Sequence, residues 1–352
     1  MINCPNIQAE LTAYFQTCDS AMLREPMPFF DFLWSDINVG GIQQVIHPAN
    51  GKVKTVELRY DKRLSEDSVD EVSSCNSTCD SKTNRTDYVQ TYSIDPCEKL
   101  QISEAMSADQ FSYACQSNDM IVAKKIQLMI DALVRKMATR LTNQASGMLG
   151  NWANDTYNLC SSQWLATQLW NGTAPNPMAM ADIDFAMQNT GFCGTTAIFA
   201  GQEMYRYSRA INAGCCTQNG VDISQITAQY GKAILYDYRV NNALGHYTSV
   251  VLQAGSLIPI YYVQNNSSLM QGIAQVTGNQ NAMIGTNYYK TVIQDPQSGM
   301  PMDLTIADNC GTISIVIEAN ATLITLPSLY DGDDRLYGVT GFAGITLSLI
   351  HI

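Results

Sequence analysis

The longest regular pattern of hydrophobic and polar positions lies between residues 118 and 147. Apolar side chains recur there at steps of three and four, the spacing that places them on one face of a helix. These residues are Val122, Ile126, Met129, Ile130, Leu133, Met137 and Leu141. Asn118 or Ser117 is the expected N-cap, and Gly147 is the expected stop. The pattern therefore predicts one helix of about 42 Å, more than twice the usual length, with one buried face.

A different pattern, alternation with a period of two, predicts a long hairpin over residues 51–97. The stretches KVKTVELRYDKR and YVQTYSID both alternate apolar and polar residues, as half-buried strands do. Between them, from about Leu64 to Asp87, apolar side chains are almost absent, so this part has no means of forming a core. We expect two paired strands that carry a polar tip away from the body.

The segments before the hairpin and after the long helix have weaker patterns. Residues 1–50 combine a short amphipathic helix at 7–15 with proline, glycine and aromatic residues, which predicts an extended arm lying on another surface. The apolar residues between Cys160 and Trp170 predict a second helix, which the turn-forming stretch NGTAPNP would end.

Residues 181–335 alternate short helical and strand patterns, which predicts a compact mixed region. A helix capped by Gly191 is expected from residue 182, a buried strand at 196–201 and another helix at 202–214. Strands are expected at 232–240, 249–264, 288–296, 302–308 and 312–327, with a closing strand within 337–352. The predicted class is α+β.

Composition narrows the functional classes. The net charge is −12, with 32 acidic and 20 basic residues, and no basic run exists to form a nucleic-acid-binding surface. Charged residues are 15% of the chain, against roughly 25% in soluble proteins, which suits a protein that buries much of its surface against neighbours. Neither a signal peptide nor a membrane-spanning segment is expected.

The chain has 11 cysteines, an odd number. Cys75, Cys79 and Cys97 form the one local cluster, and three interpretations of it stay open. The thiols are reduced and mostly buried, or a local disulfide forms within 75–97, or the cluster binds a metal, although no second ligand pair stands beside it.

Catalytic motifs are weak throughout the sequence. The three histidines are His47, His246 and His351, and Cys193 with His246 is the most plausible nucleophile pair. Their surroundings match no cysteine-protease signature, so a core thiol at Cys193 and a turn at His246 are the expected structures. No phosphate-loop or dinucleotide motif occurs.

One acidic stretch could be mistaken for a calcium loop. Asp331, Asp333 and Asp334 have the right start, but Phe342 stands near the position of the closing glutamate, so a surface turn is expected. We predict no catalytic, cofactor-binding or metal-binding residues, no cofactor and no enzymatic activity.

The order of these parts resembles the major capsid proteins of tailed bacteriophages, which have the Hong Kong 97 fold. Phrases at 185–207 (FAMQNTGFCGTTAIFAGQEMYRY), 230–240 and 292–318 are similar in style to that family. The resemblance implies the following parts: an N-terminal arm at 1–50, an extended hairpin loop at 51–97, a peripheral domain at 98–180 with its spine helix at 118–147, an axial domain at 181–335, and a closing strand at 336–352 that returns to the peripheral domain.

The resemblance also implies a function and partners. The protein would assemble with copies of itself, as hexamers and pentamers, into an icosahedral virion shell in the host cytoplasm. The shell would enclose double-stranded DNA without sequence-specific binding or membrane contact, with portal, scaffolding and decoration proteins as further partners. Crosslinking, where it occurs, would need a hairpin lysine such as Lys82. The alternatives are an encapsulin-like nanocompartment shell, a disulfide-bonded adhesin, or a hydrolase using Cys193 and His246.

Overall fold

The computed structural model describes residues 25–35, 54–60, 88–95, 97–107, 118–149, 164–172, 174–189, 196–219, 233–263, 288–309, 312–325 and 339–345. The helices are α1 (Pro28–Ser35), α2 (Asn118–Leu149), α3 (Ala179–Asn189), α4 (Gln202–Asn219) and α5 (Tyr238–Leu244). The strands are β1 (Lys54–Tyr60), β2 (Tyr88–Ile94), β3 (Leu100–Ser107), β4 (Trp164–Gln168), β5 (Trp170–Asn171), β6 (Ala174–Pro175), β7 (Thr196–Ala200), β8 (Ala233–Tyr236), β9 (Thr248–Gln253), β10 (Leu257–Tyr262), β11 (Tyr288–Gln294), β12 (Pro301–Asn309), β13 (Thr312–Thr325) and β14 (Val339–Ile345).

Two five-stranded sheets form the body. In the first, which we call sheet A, the order is β10-β13-β12-β11, and β3 also pairs with β13. All of these pairings are antiparallel. β13 is 14 residues long and rich in β-branched side chains, which favour strands. Its first half lies between β12 and β3, and its second half pairs with β10, so this strand holds sheet A together.

The second sheet, sheet B, has the order β4-β14-β9-β7-β8 and mixes parallel with antiparallel pairs. β7 is buried along its whole length, as its run of apolar residues predicts. β4 and β8 are the two edges. The small β5–β6 pair stands apart from both sheets, and β1 pairs with β2 as a separate two-stranded hairpin.

The long helix predicted from periodicity is present as α2, which has 32 residues and a length of about 48 Å. All seven residues of its predicted apolar face are buried. The prediction that Gly147 stops the helix is wrong, because α2 continues to Leu149. Ala145 and Leu149 are buried, so packing of the last turn offsets the roughly 1 kcal/mol that an internal glycine costs.

One apolar core joins α2 to both sheets. It contains the inward side chains of β12 and β13 in sheet A, and Phe199, Val250 and Leu252 in sheet B. Helix α1 lies between the sheets and packs on α2, β10 and β8. The ring of Phe29 in α1 meets that of Phe199 edge-on, with centroids 5.2 Å apart. The two sheets therefore share one hydrophobic core.

Burial of α1 corrects the prediction for this part of residues 1–50. We expected extended chain, but Pro28–Ser35 is a helix whose Phe29, Phe30, Leu33 and Trp34 belong to the core. Four apolar side chains within six residues bury more area in a helix against the core than an extended arm would. The amphipathic helix expected at 7–15 lies outside the described residues.

The helix predicted between Cys160 and Trp170 is also wrong, because Trp164–Gln168 is strand β4 and Trp170–Asn171 is strand β5. Thr167 and Leu169 are buried, whereas Gln168 and Trp170 are only half-buried, which is a period of two. Pairing with the distant β14 decides the conformation of this stretch.

The strand expected at 232–240 is correct only in its first half. β8 ends at Tyr236, and Asp237 then caps helix α5. The single strand expected at 249–264 is wrong, because a turn with Gly255 at φ 78° divides it into β9 and β10. The other helices and strands expected in 181–345 are present, with boundaries shifted by a few residues; α4, for example, runs on to Asn219. Gly191, the expected cap of α3, lies outside the described residues.

Each of the two sheets contains strands from more than one of the predicted segments. β3 belongs to segment 98–180 but pairs with β13 from segment 181–335. The closing strand β14 lies in sheet B between β4 and β9, whereas the spine helix packs on β3 and β13 of sheet A. Long-range pairing therefore joins the segments 98–180, 181–335 and 336–352, and their bounds as domains stay a prediction.

Candidate assembly interface

The predicted hairpin begins at a root that is attached firmly to the body. β1 and β2 pair antiparallel along their full lengths, from Lys54 opposite Ile94 to Tyr60 opposite Tyr88. Tyr92 packs on the cluster formed by Ile258, Ile260, Tyr262 and Ile324, on the side of sheet A away from the main core. Its hydroxyl donates a 2.7 Å hydrogen bond to the carbonyl oxygen of Thr325. The predicted tip, from about Leu64 to Asp87, lies outside the described residues.

The turn that follows β2 connects the hairpin to the same sheet. The side-chain amide of Asn320 donates to the carbonyl oxygen of Asp95 at 2.8 Å. The Asp95 carboxylate accepts a 2.8 Å hydrogen bond from the backbone N–H of Cys97 and so closes the turn. Cys97 is exposed and its thiol is free. These bonds fix the direction in which the hairpin leaves the body.

Charged side chains fix the other side of this turn. Lys99 pairs with Glu318 of β13 at 2.7 Å. Arg140 of α2 donates to the carbonyl oxygen of Glu98 at 2.9 Å and lies 3.4 Å from its carboxylate. Each contact is partly exposed, so each stabilises only modestly. Together they connect the hairpin root to both the spine helix and sheet A.

A polar cluster holds the chain where it enters α1. Asp237 is buried and accepts hydrogen bonds from the backbone N–H of Phe29 at 3.1 Å and of Arg239 at 2.9 Å. The second bond is an N-cap on α5. Burial raises the pKa of Asp237 above its usual value, although these hydrogen bonds act in the opposite direction. One carboxylate therefore joins α1 to α5.

Glu25, just before α1, completes this cluster. Its carboxylate pairs with the guanidinium of Arg239 and accepts a 3.0 Å hydrogen bond from the hydroxyl of Tyr238. Partial burial acts to raise the pKa of Glu25, but the Tyr238 hydrogen bond and the charge of Arg239 outweigh it and keep the pKa below its usual value. Arg239 is 3% exposed, and its Nε and Nη1 have no hydrogen-bond partner in the described part of the chain.

The geometry of the Glu25–Arg239 pair predicts that replacing each residue lowers the free energy of unfolding by a different amount. Glu25→Gln leaves the buried guanidinium without its ion-pair partner, although the Asp237 carboxylate still lies close to it, so we expect a loss of about 1–2 kcal/mol at pH 7. That is below the roughly 3–5 kcal/mol for a fully buried pair, because the Glu25 side chain is 38% exposed. Arg239→Met removes the buried charge together with its unpaired donors and should cost less. Chemical denaturation of the subunits measures both changes.

The pH dependence provides the control for this pair. Because the folded-state pKa of Glu25 is lowered, its contribution is present above its unfolded pKa and is lost as the pH falls through the folded value. The difference between wild type and Glu25→Gln should therefore shrink in acid. The raised pKa of Asp237 changes the free energy of unfolding with pH in the opposite direction. Asp237 is present in both proteins, so its contribution cancels in the difference between them. A difference independent of pH would contradict the ion pair.

Of the residues considered for chemistry, the structure describes Cys97 and His246. His246 lies exposed in a turn, as predicted, with its Nδ1 3.3 Å from Oδ1 of Asn241. Cys75, Cys79, Cys193, Lys82 and the acidic stretch at 331–334 lie outside the described residues. Among the residues that are described, no three His, Cys, Asp or Glu side chains are placed to share a metal ion. None of the described helices is long and apolar enough to cross a membrane.

No family model matches the chain, and no curated protein matches it in sequence. Among solved structures, the capsid asymmetric unit of cyanophage A-1(L) is similar over 91% of this chain and 93% of that one, with a TM-score of 0.50 and 11% identity.

The chain has the α+β capsid fold. The likeness to the cyanophage capsid extends over nearly the full length of both chains, so the expected fold class is confirmed. The capsid of Ralstonia phage GP4 (TM-score 0.45, 9% identity, 87% of each chain) is a weaker match. The holo-SrpI encapsulin complex of Synechococcus elongatus PCC 7942 (TM-score 0.43, 14% identity, 87% and 88% of the chains) is another.

Sequence reasoning missed the cluster around Asp237 in this capsid fold. A signal was present, since an aspartate immediately before Tyr238 and Arg239 is a common helix start. The apolar alternation of the preceding strand obscured it. The partners Glu25 and Phe29 are more than 200 residues away in sequence, and no local pattern indicates such a contact.

Proposed function

We propose that this protein is a major capsid protein that assembles with copies of itself into the icosahedral shell of a tailed bacteriophage. The observation that carries the proposal is the capsid fold, shared with the cyanophage A-1(L) capsid over 91% of this chain. Hexamers and pentamers would form the shell in the host cytoplasm and enclose double-stranded DNA. Portal, scaffolding and decoration proteins would be its further partners.

The spine helix supports this proposal. A shell subunit must cover area with little thickness, and a rod of about 48 Å supplies width. α2 packs on sheet A and on α5, and α5 packs on β7 and β9 of sheet B, so one core connects the long helix to both sheets. A shared core of this kind makes the subunit resist deformation by contacts with neighbouring subunits.

The hairpin root supports a role in contacts between subunits. Bonds to β13 and α2 hold the start of the hairpin, and the sequence predicts a polar tip of more than 20 residues beyond it. A fixed root with a long reach suits contact with a neighbouring copy. Contacts between unlike surfaces close into rings, and many weak contacts in one shell reinforce each other.

Self-assembly is the direct test. We expect the purified protein to form closed particles, or rings of five and six, visible by electron microscopy and measurable by analytical ultracentrifugation. The reason is the capsid fold, together with a charged fraction of 15%. A stable monomer at all concentrations and salt conditions tested would contradict the proposal.

The contents of the particles separate the capsid from the alternatives. A phage capsid isolated from its source should contain nuclease-protected double-stranded DNA, whereas a nanocompartment shell should contain an enzyme cargo. The adhesin predicts few free thiols, while a reduced shell protein predicts a count near the 11 cysteines of the chain under denaturing, non-reducing conditions. The free Cys97 is consistent with the reduced state.

A further inference from the structure

Two exposed patches lie at opposite ends of sheet B. The first, the β8 patch, consists of Tyr236 on edge strand β8 with Tyr205 and Arg209 on α4, which packs on that strand. The second, the α3 patch, consists of Met178, Asp182 and Phe185, on and just before helix α3, which packs on β4 at the other edge. Tyr236, Arg209, Met178 and Phe185 are exposed, whereas Tyr205 and Asp182 also contact their own subunit.

The β8 patch is a preformed platform. The rings of Tyr205 and Tyr236 lie 5.2 Å apart, and the guanidinium of Arg209 lies 5.0 Å from the centre of the Tyr205 ring. Arg209 also donates to the Tyr205 hydroxyl at 2.7 and 3.1 Å, so the cation is held in place at the surface. Tyrosine and arginine in such a cluster are the residues that most often dominate protein interfaces.

The α3 patch carries a negative charge, in contrast to the positive charge of Arg209 in the β8 patch. Ala179, Met180 and Ile183 face the core, so the other side of the helix points outward. Met178 is 61% exposed and Phe185 is 58% exposed, large fractions for apolar side chains of this size. Between them in the helical sequence lies Asp182, whose carboxylate is exposed and accepts a 3.2 Å hydrogen bond from Thr167. The patch therefore presents two apolar groups around a negative charge.

We propose that the α3 patch of one subunit docks on the β8 patch of a second copy of this chain. In this contact Asp182 pairs with Arg209, while Met178 and Phe185 cover the Tyr205 and Tyr236 rings. A patch is not expected to bind the same patch of a second copy, because two arginines or two aspartates would then face each other and repel. Complementary patches at opposite edges of one sheet make a head-to-tail contact, the kind that closes into rings.

This inference rests on the proposed function and deepens it by assigning the contact within a ring. Charge exchange is the test. Arg209→Glu and Asp182→Arg should each lower the yield of rings and particles at least about tenfold, because each places like charges together in every contact of the ring. The double variant Arg209→Glu with Asp182→Arg restores opposite charges and should assemble to within about twofold of wild type.

Mixing the two single variants makes the test sharper. Their subunits can join only in alternation, since each variant repels itself and attracts the other. The mixture should form rings of even number and no rings of five, and electron microscopy would distinguish these. Lys124→Glu, the same change of charge at an exposed position on α2, is the control and should assemble normally. Thermal unfolding of every variant shows whether its subunit is folded.

The outcomes separate this contact from the proposed function. Wild-type assembly with unimpaired single variants would overturn the contact and leave the capsid proposal intact. Loss of assembly in the singles without rescue in the double variant or the mixture would also overturn the pairing of Asp182 with Arg209. A wild-type protein that never assembles would overturn the capsid proposal, and this contact with it.

Discussion

Replacing Met129 by aspartate should abolish the soluble folded subunit, whereas the same replacement at the adjacent Leu128 should leave it folded. Met129 is 2% exposed and belongs to the shared core, while Leu128 on the outer face of the same helix is 46% exposed. A buried carboxylate without a partner costs several kcal/mol, a large part of a typical stability of roughly 5–15 kcal/mol.

Both variants replace a large apolar residue of high helix propensity by aspartate at adjacent positions of one helix, so the changes in helix propensity and net charge are closely similar. Soluble yield and thermal unfolding followed by circular dichroism measure the difference. Leu133→Asp, also on the buried face, should behave like Met129→Asp. Equal melting temperatures for the Met129 and Leu128 variants would mean that this face of α2 does not pack on the sheets.

Shortening the hairpin should abolish closed shells while leaving the subunit folded. Tyr60 lies opposite Tyr88, so replacing residues 61–87 by Asn-Gly joins β1 to β2 by a two-residue turn and keeps the pairing register. The removed residues include the polar stretch from Leu64 to Asp87, so little core burial is lost. The root contacts of Tyr92 and Asp95 remain. We expect an unchanged melting temperature and no closed particles.

A shuffled tip of the same length and composition is the control for this deletion. It retains reach and charge but loses any specific contact, so failure of both variants would indicate that particular tip residues bind a neighbour. Assembly of the shuffled tip alone would indicate that reach is sufficient. Particles of wild-type stability from the Asn-Gly variant would contradict a role for the tip in assembly.

Local periodicity predicts the helices and strands that bury one face of their own surface. The apolar stripe of α2 and the β-branched alternation of β13 both specify a single buried face, so they could be recognised without knowing what covers it. The order of arm, hairpin, rod and mixed region then pointed to the capsid fold, although 11% identity to the cyanophage capsid leaves little sequence in common.

Elements whose conformation depends on distant partners were missed. β4 was predicted as a helix because its strand pairing is with β14, far along the chain. Helix α1 was predicted as an extended arm because the surfaces that bury it come from α2, β10 and β8. The exposed aromatic rings beside Arg209 likewise come together only when β8 and α4 pack, so no spacing in the sequence indicates that platform.

The pairing of β3 with β13 also bears on how the protein is made. Their paired residues, from Leu100 opposite Ala319 to Ser107 opposite Thr312, are separated by roughly 200 residues, which a ribosome adds in about 10–40 s. During that time β3 has an unpaired edge and α2 lacks most of the sheet that covers it. Sheet B is completed later still, because its strand β14 is synthesised after β13. A finished body therefore exists only after synthesis has passed both β13 and β14.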